Sequence, residues 1–309
     1  MYGNIRSAVM GSINMDFIMT MDRMPECGEN LVGKSYGYAN GGKGANQASA
    51  LAKLGACTKM LGKVADDENG KILLNSLEKK GVDISLVSTT GTQTGLAVIM
   101  LDKTGKNRIV VYEGANAEIE PSDFIQGIDD ELDLMLVQFE TNEDAVVACI
   151  NKAKEKGAVT VVDCGPAKEF ALEKMQGATI VTPNESETKV LTGVYPGTED
   201  EIKKASEILM ERSKAKFIVL KLGERGCSVF DGSEMKIMPP YKSKVADTTS
   251  AGDCFTAAMA LEYVRTDDIY AACDMGNRAG AVAVSRMGAD SSMPDYNDLI
   301  SISDVCIER

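Results

Sequence analysis

Asp253 is the residue around which chemistry can be built. It stands in the run Asp247-Thr248-Thr249-Ser250-Ala251-Gly252-Asp253-Cys254-Phe255, where small residues at 249–252 allow a tight turn and close approach to a ligand. The stretch that follows, to Leu261, is rich in small residues and reads as a helix beginning at Ala251 or Gly252. A helix start leaves N–H groups without intrahelical partners, and the helix dipole adds positive potential there, so the turn is a ready anion site. A carboxylate inside an anion site suits a base that takes a proton from an alcohol while a phosphoryl group is held beside it. The plainer reading of the same residue is an acid in the first helical turn that complements the dipole.

A second constellation is Asn40-Gly41-Gly42-Lys43-Gly44-Ala45-Asn46-Gln47-Ala48, which runs into a helical pattern through Leu51 and Leu54. Gly37 to Lys43 matches the first part of a P-loop, but the next residue is Gly44, which offers no hydroxyl for Mg²⁺, so a Walker A assignment is rejected. Lys43 and Asn46, about a turn apart, instead suit a polyhydroxyl ligand. Earlier in the chain, Ser7 to Gly11 reads as a buried strand, and Asn14 and Asp16 alternate just past its end. That edge is where open α/β sheets bind ligands.

The elements that must hold these residues follow from periodicity. A strand is expected at 59–64 and an amphipathic helix from Asn69 to Lys80, closed by Gly81. Thr94 to Leu101 and Asn107 to Tyr112 are β-branched runs around Asp102-Lys103-Thr104-Gly105-Lys106, a hairpin signature. With residues from about 17 to 38, this hairpin is expected to form a small lid over the ligand edge. Beyond 133 the pattern alternates regularly, with strands at 134–138, 159–163, 179–181 and 217–221 and helices at 143–156 and 199–212. Such alternation signals parallel βαβ units. Glu140, Asp163, Asn184 with Glu187, and Lys221 with Gly223 stand at or just after strand ends, and Ile269 to Met287 reads as a long helix of small residues.

Composition excludes several classes. The 309 residues carry a net charge of −13, which argues against a nucleic-acid or anionic-membrane partner. The chain has no histidine, so Ser-His-Asp and Cys-His catalysis and His-containing metal sites are excluded. Eight cysteines, at 27, 57, 149, 164, 227, 254, 273 and 306, show no C-x-x-C spacing and fit reduced thiols. Neither a signal-peptide apolar region nor a run near the roughly 18 apolar residues of a membrane span is present, and a cytoplasmic location is expected. A dinucleotide-dependent dehydrogenase is set aside because no G-x-G-x-x-G follows the first strand.

From Gly11-Ser12-Ile13-Asn14 to Gly288-Ala289, order and spacing resemble the ribokinase-like carbohydrate kinases, the phosphofructokinase B family. Gly41-Gly42-Lys43-Gly44-Ala45-Asn46-Gln47-Ala48 resembles the N-terminal signature in its ribokinase form, and Asp247 to Phe255 resembles the C-terminal D-T-x-G-A-G-D signature. The resemblance implies one α/β domain over 1–309. It would have a central, mostly parallel sheet flanked by helices and a small β lid from about 17–38 and 94–112. The implied activity is transfer of the γ-phosphoryl of ATP to a primary hydroxyl, with D-ribose as the expected acceptor. Alternatives are another pentose, a ketohexose or a nucleoside, or a catalytically silent sugar- or nucleotide-binding regulator, which retention of Asp253 disfavours.

The resemblance also assigns residues. Asp253 would be the base, with Ala251 and Gly252 completing the anion hole. Asn14, Asp16, Gly42, Lys43, Asn46 and Glu140 would hold the sugar. Asn184 and Glu187 would serve the phosphates and Mg²⁺, while Lys221, Gly223, Gly226 and Asn277 would line the nucleotide site. A monovalent cation, K⁺, would sit against Asp247, Thr249, Ala283, Arg286, Gly288 and Ser292, several of them through backbone carbonyls. The chain departs from the family pattern at Ser250, where Gly or Ala is usual, at Asn277, and at Asp163-Cys164-Gly165-Pro166 in place of Asn-Pro-Ala-Pro. A lid of a few short strands needs a partner for its second face, so a homodimer joined through the lids is expected.

Overall fold

The fold is described from a computed structural model, over residues 2–302. The strands follow in chain order as β1 (Arg6–Met10), β2 (Asn14–Met21), β3 (Ser35–Gly41), β4 (Cys57–Ala65), β5 (Asp83–Thr90), β6 (Gly95–Asp102), β7 (Asn107–Tyr112), β8 (Leu134–Gln138), β9 (Val159–Asp163), β10 (Ile180–Thr182), β11 (Phe217–Lys221), β12 (Cys227–Phe230) and β13 (Met235–Met238). The helices are α1 (Lys43–Lys53), α2 (Glu68–Lys79), α3 (Glu143–Glu155), α4 (Glu185–Thr192), α5 (Glu199–Ser213), α6 (Ala251–Thr266), α7 (Ile269–Val284), α8 (Ala289–Ser292) and α9 (Tyr296–Ser301).

Nine strands form the main sheet in the order β13-β12-β11-β10-β9-β8-β1-β4-β5. The pairs from β5 across to β11 are all parallel, and β12 reverses direction at one edge. Both faces are covered by helices, which is why β8 reads as the unbroken buried run Leu-Met-Leu-Val-Gln. Leu134 and Leu136 of β8, with Val161, Ile180 and Val219, pack on α1, α6 and α7. Met135 and Val137 point the other way, with Val162, Val181 and Ile218, onto α3 and α5. Helix α6 is buried from Asp253 to Tyr263, and its alanines 257, 258 and 260 allow the close approach that an all-round buried helix requires.

From β1 the chain crosses to β4 on one side and later continues from β8 outward on the other. The crevice between the carboxyl ends of β1 and β8 is therefore a topological switch point, where open α/β sheets bind ligands. Strands β2, β3, β6 and β7 form a separate sheet in the order β3-β2-β6-β7. Asn14 and Asp16 lie inside β2, paired on both sides to β3 and β6, rather than in a loop beyond β1. Their shared face leaves Phe17 on the opposite one, level with Tyr38 and Val98, and Val98 is level with Val110.

Strands β5, β12 and β13 and helix α4 have no counterpart in the periodicity reading. The sequence of β5, Asp-Ile-Ser-Leu-Val-Ser-Thr-Thr, is an edge strand with polar positions throughout, and β12 and β13 span four residues each. Segments that short and that polar carry too little alternation to register. Helix α7 ends at Val284, three residues before the expected Met287.

Candidate active site

Two helix starts and three strand ends meet at the switch point. Gly42 precedes α1 with φ 89°, and a Cβ there would stand 2.7 Å from Ser12 O, so only glycine admits this entry. The turn brings Lys43 N within 3.1 Å of Glu140 Oε2, to which the Ser12 hydroxyl also donates a short hydrogen bond. Asn116 Nδ2 donates to Asn14 Oδ1 at 2.7 Å while Asn116 Oδ1 accepts from Ile13 N at 2.9 Å. Asn14, Asp16, Lys43, Asn46 and Glu140 thus gather on one side of the crevice. The side chain of Asp16 lies against Gly41, where a Cβ would come within 2.3 Å of its carboxylate.

Helix α6 supplies the opposite wall. Ser250 is its N-cap in the left-handed conformation, with φ 60°, and the first intrahelical bond runs from Cys254 N to Ser250 O at 2.9 Å. Ala251 N is turned back on Thr248 O at 3.3 Å. The N–H groups of Gly252 and Asp253 lie ahead of that first intrahelical bond, whereas the Ala251 N–H, expected in the anion hole as well, is already engaged by Thr248 O. Asp253 is 5% exposed. Its Oδ2 accepts from Asn46 Nδ2 at 3.1 Å, its Oδ1 accepts from Gln47 Nε2 at 3.1 Å, and Lys43 Nζ is 3.6 Å from Oδ1. Asn46 Nδ2 also donates to Ser250 Oγ at 3.1 Å.

The spacing of motifs does not give a role to Gln47, Gln138 or Thr256, and the structure brings all of them to the site. Gln47 lies four residues from Lys43 on the same face of α1, and its amide orientation is fixed because Gln138 Nε2 donates to its Oε1 at 2.6 Å. Gln47 Nε2 then reaches Asp163 Oδ2 at 3.1 Å as well as Asp253, and Thr256 Oγ1 donates to Asp163 at 3.1 Å. Position i+4 on α1 and the final residue of β8 were the available signals. Asn116 sits in a 3₁₀ turn between elements and gave none.

The residues expected on the phosphate side are arranged differently. Asn184 and Glu187 cap α4 reciprocally: Glu187 N donates to Asn184 Oδ1 at 2.9 Å and Asn184 N to Glu187 Oε2 at 2.7 Å. Burial raises the Glu187 pKa, Asp163 adds to that, and Lys221 and Lys43 oppose it. Gly223 and Gly226, both with positive φ, follow β11. Asn277 of α7 donates to the carbonyls of Met238 and Pro239, at 3.3 and 3.1 Å, tying that helix to the end of β13.

Asp247 accepts from Thr249 N at 2.9 Å and from Gly288 N at 2.9 Å, which stitches the 247–249 turn to the segment after α7. There the Ala283 carbonyl accepts from Arg286 N, Ser292 Oγ donates to Ala289 O at 2.9 Å, and the Arg286 guanidinium turns to Asp298 at 2.7 and 3.0 Å. Any part that Arg286 plays toward a cation falls to its backbone. Cys27, Cys57, Cys149, Cys164, Cys227, Cys254 and Cys273 are free thiols, and Cys306 lies outside the described residues.

A family model described as pfkB family carbohydrate kinase matches residues 4–296. The ribokinase of Bacillus subtilis is 35% identical over 294 residues, covering 94% of this chain and 97% of the relative. A bifunctional ribokinase/ribose-5-phosphate isomerase A of Fructilactobacillus sanfranciscensis is 32% identical over 299 residues, which are 95% of this chain and 55% of that protein. Among solved structures, Arabidopsis thaliana ribokinase complexed with ribose and ATP superposes with a TM-score of 0.88 at 30% identity, covering 96% of this chain and 98% of that one.

One titration follows from the geometry. Burial, then Glu140 and Asp253, raise the Asp16 pKa from 3.8 to about 7. A carboxyl whose folded pKa is raised stabilises the fold fully below its unfolded value, and that contribution is lost as pH climbs through the folded value. Asp16→Asn should therefore be more stable than the parent at pH 8, by about 4 kcal/mol and hence with a higher melting temperature, with the gain vanishing below about pH 4. Thermal melts across that range check it, and a gain that does not vary with pH would contradict the assignment.

Proposed function

The chain belongs to the pfkB family of carbohydrate kinases, and from that premise we propose that it transfers the γ-phosphoryl of ATP to the primary hydroxyl of D-ribose, giving D-ribose 5-phosphate. One observation carries the reading: the buried carboxylate of Asp253 stands at the N-terminus of α6, beside unpaired backbone donors and within reach of Lys43 and Asn46. Asp253 takes the hydroxyl proton, and the Gly252 and Asp253 N–H groups hold the charge of the transferring group. Asn14, Asp16, Gly42, Lys43, Asn46 and Glu140 orient the sugar, and positioning supplies most of the acceleration. Asn184, Lys221, Gly223, Gly226 and Asn277 line the ATP site. The names of the relatives, one of them joined to a ribose-5-phosphate isomerase, support ribose as acceptor.

Lys43 and Lys221 face the carboxyls of Glu140, Asp163, Glu187 and Asp253, and Asp16 adds a fifth beside Glu140 and Asp253, so negative groups outnumber positive ones where a polyanion must bind. Mg²⁺ fits that surplus, with Glu187 as its protein partner. Among the described residues no three His, Cys, Asp or Glu side chains converge into a cage, as suits an ion held mainly by phosphates and water. Bound with ATP, Mg²⁺ would neutralise phosphate charge. K⁺ suits the hard oxygens of Asp247, Thr249, Ala283, Arg286, Gly288 and Ser292. A second reading, a bulkier acceptor such as a nucleoside, is favoured by a cavity of about 520 Å³ beside Asn14 and Glu140, lined also by Tyr112, Asn116, Phe139 and Lys168.

We read the chain as one kinase domain whose second sheet, from about 17–38 and 94–112, acts as a lid that closes over the sugar. The outer face of that sheet exposes Tyr36 by 69%, Tyr38 by 64% and Val110 by 63%, which supports a homodimer joined through the lids. The free thiols support a cytoplasmic location, which cell fractionation checks.

ADP release measured over a panel of pentoses, ketohexoses and nucleosides should rank D-ribose first; a nucleoside in that place would favour the cavity reading. On the best acceptor, Asp253→Asn should fold normally and lose about 10²–10⁴-fold in turnover, and a variant keeping half the rate would dismiss the base. Potassium should raise activity above that in sodium or choline salts, and equal rates in all three would remove the cation site. Light scattering at micromolar concentration should give about twice the 33.0 kDa of one chain, whereas a mass near 33.0 kDa would defeat the dimer.

A further inference from the structure

Asp163 takes no part in the transfer described above, yet its side chain is fully shielded from solvent. Its Oδ2 accepts from Lys221 Nζ at 2.8 Å, from Gln47 Nε2 at 3.1 Å and from Thr256 Oγ1 at 3.1 Å. Its Oδ1 accepts from Gly165 N at 3.0 Å and faces Lys43 Nζ at 3.7 Å. A carboxylate at this depth survives as an anion only if paired and hydrogen-bonded. Burial alone would raise its pKa, and Lys221 and Lys43 outweigh burial to hold it below the usual range.

The other side of Lys221 looks toward α6. Its ammonium stands 3.9 Å from where a Cβ on Gly252 would be, at the first turn of α6. The side chain keeps 11% exposure, on the crevice side of a partner that has none. Lysine is a compact charge on a flexible stem, and without a fixed counter-ion it would sample many positions. Asp163, clamped by Gln47, Thr256 and the Gly165 amide, removes that freedom.

We infer that Lys221 contacts the phosphoryl group in transit and that Asp163 is the residue that positions it. This rests on the kinase reading and narrows the nucleotide-lining role of Lys221 to one phosphate. The balance is simple: the acceptor oxygen bonds the γ-phosphorus, the bond to the β–γ bridging oxygen breaks and ADP leaves. The hydroxyl proton goes to Asp253. Lys221 keeps its proton throughout and meets the charge on the oxygens of the moving group.

The test uses the full chain and needs no acceptor for its first arm. Calorimetry with Mg²⁺ should show that Lys221→Met weakens AMP-PNP by about tenfold or more, the scale of a charge-assisted hydrogen bond, and ADP by less than about twofold. Turnover should fall by about 10²–10³ with the sugar KM little changed. Equal weakening of both nucleotides, or turnover within about threefold of the parent, would overturn the contact. For Asp163, the double variant Asp163→Asn/Lys221→Met removes one acid and one cation together, so it stays measurable even where Asp163→Asn alone does not fold. If Asp163 acts through Lys221, the double variant should turn over within about threefold of Lys221→Met, and a further loss beyond that overturns the positioning role. A parent protein that phosphorylates no sugar would defeat the sugar-kinase reading, while the difference between AMP-PNP and ADP still decides this one.

Discussion

Two carboxylates, Asp163 and Asp253, share one amide nitrogen, Gln47 Nε2, at 3.1 Å each. Like charges that close, and this well buried, cannot both stay ionised without compensation. Lys43 compensates from α1, 3.7 and 3.6 Å from the two acids, and Lys221 compensates from the end of β11 at 2.8 Å. Much of the fold answers this one requirement. The acids come from β9 and α6, the cations from β11 and α1, and the amide that bridges the acids is set by a residue of β8. No two of these elements satisfy the charges alone, so the site exists only when the sheet is assembled with both helices on it.

The parallel order of the sheet makes that convergence possible. Gln138 and Asp163 are opposite each other across β8 and β9, and Thr182 is opposite Asp163 across β10, so their side chains rise on one face. That face is the one on which α1 and α6 pack. Below it the same strands present Leu136, Val161 and Ile180 to the apolar core, and the polar layer begins only at the carboxyl ends. A buried polar network of this kind is tolerable because Asp163, Asp253 and Gln47 are each paired through several partners, although Gln138 Oε1 and Thr182 Oγ1 find none among the described residues. It specifies one arrangement of the surrounding helices.

The parts of this that were legible in the sequence were the periodic ones. Strands β8, β9 and β11 and helices α3 and α5 agree with the alternation to within a residue, because buried parallel strands and amphipathic helices write their period into residue type. The anion turn and the glycine entry to α1 were legible for another reason: small residues beside one acid or one lysine have few structural uses. What stayed hidden was pairing. Gln47 is one glutamine in a helix until β8 brings Gln138 to its oxygen, and Asp163 reads as a loop acid until its neighbours are known. Asn14 and Asp16 read as loop residues because nothing local reveals the flanking strands that make 14–21 extended.

Ser250 shows how tightly the two halves of the site are joined. A non-glycine residue at φ 60° carries strain of about 1 kcal/mol, which a glycine there would avoid. In exchange its hydroxyl accepts from Asn46 Nδ2, the same nitrogen that donates to Asp253. One amide on α1 therefore touches both the Asp253 carboxylate and the residue whose backbone sets the direction of the first turn of α6. A ligand that draws Asn46 away would loosen the turn and the carboxylate together, and one that holds it would fix both. The α1 side and the α6 side of the crevice are mechanically one unit, built from a strained serine and a single forked side chain.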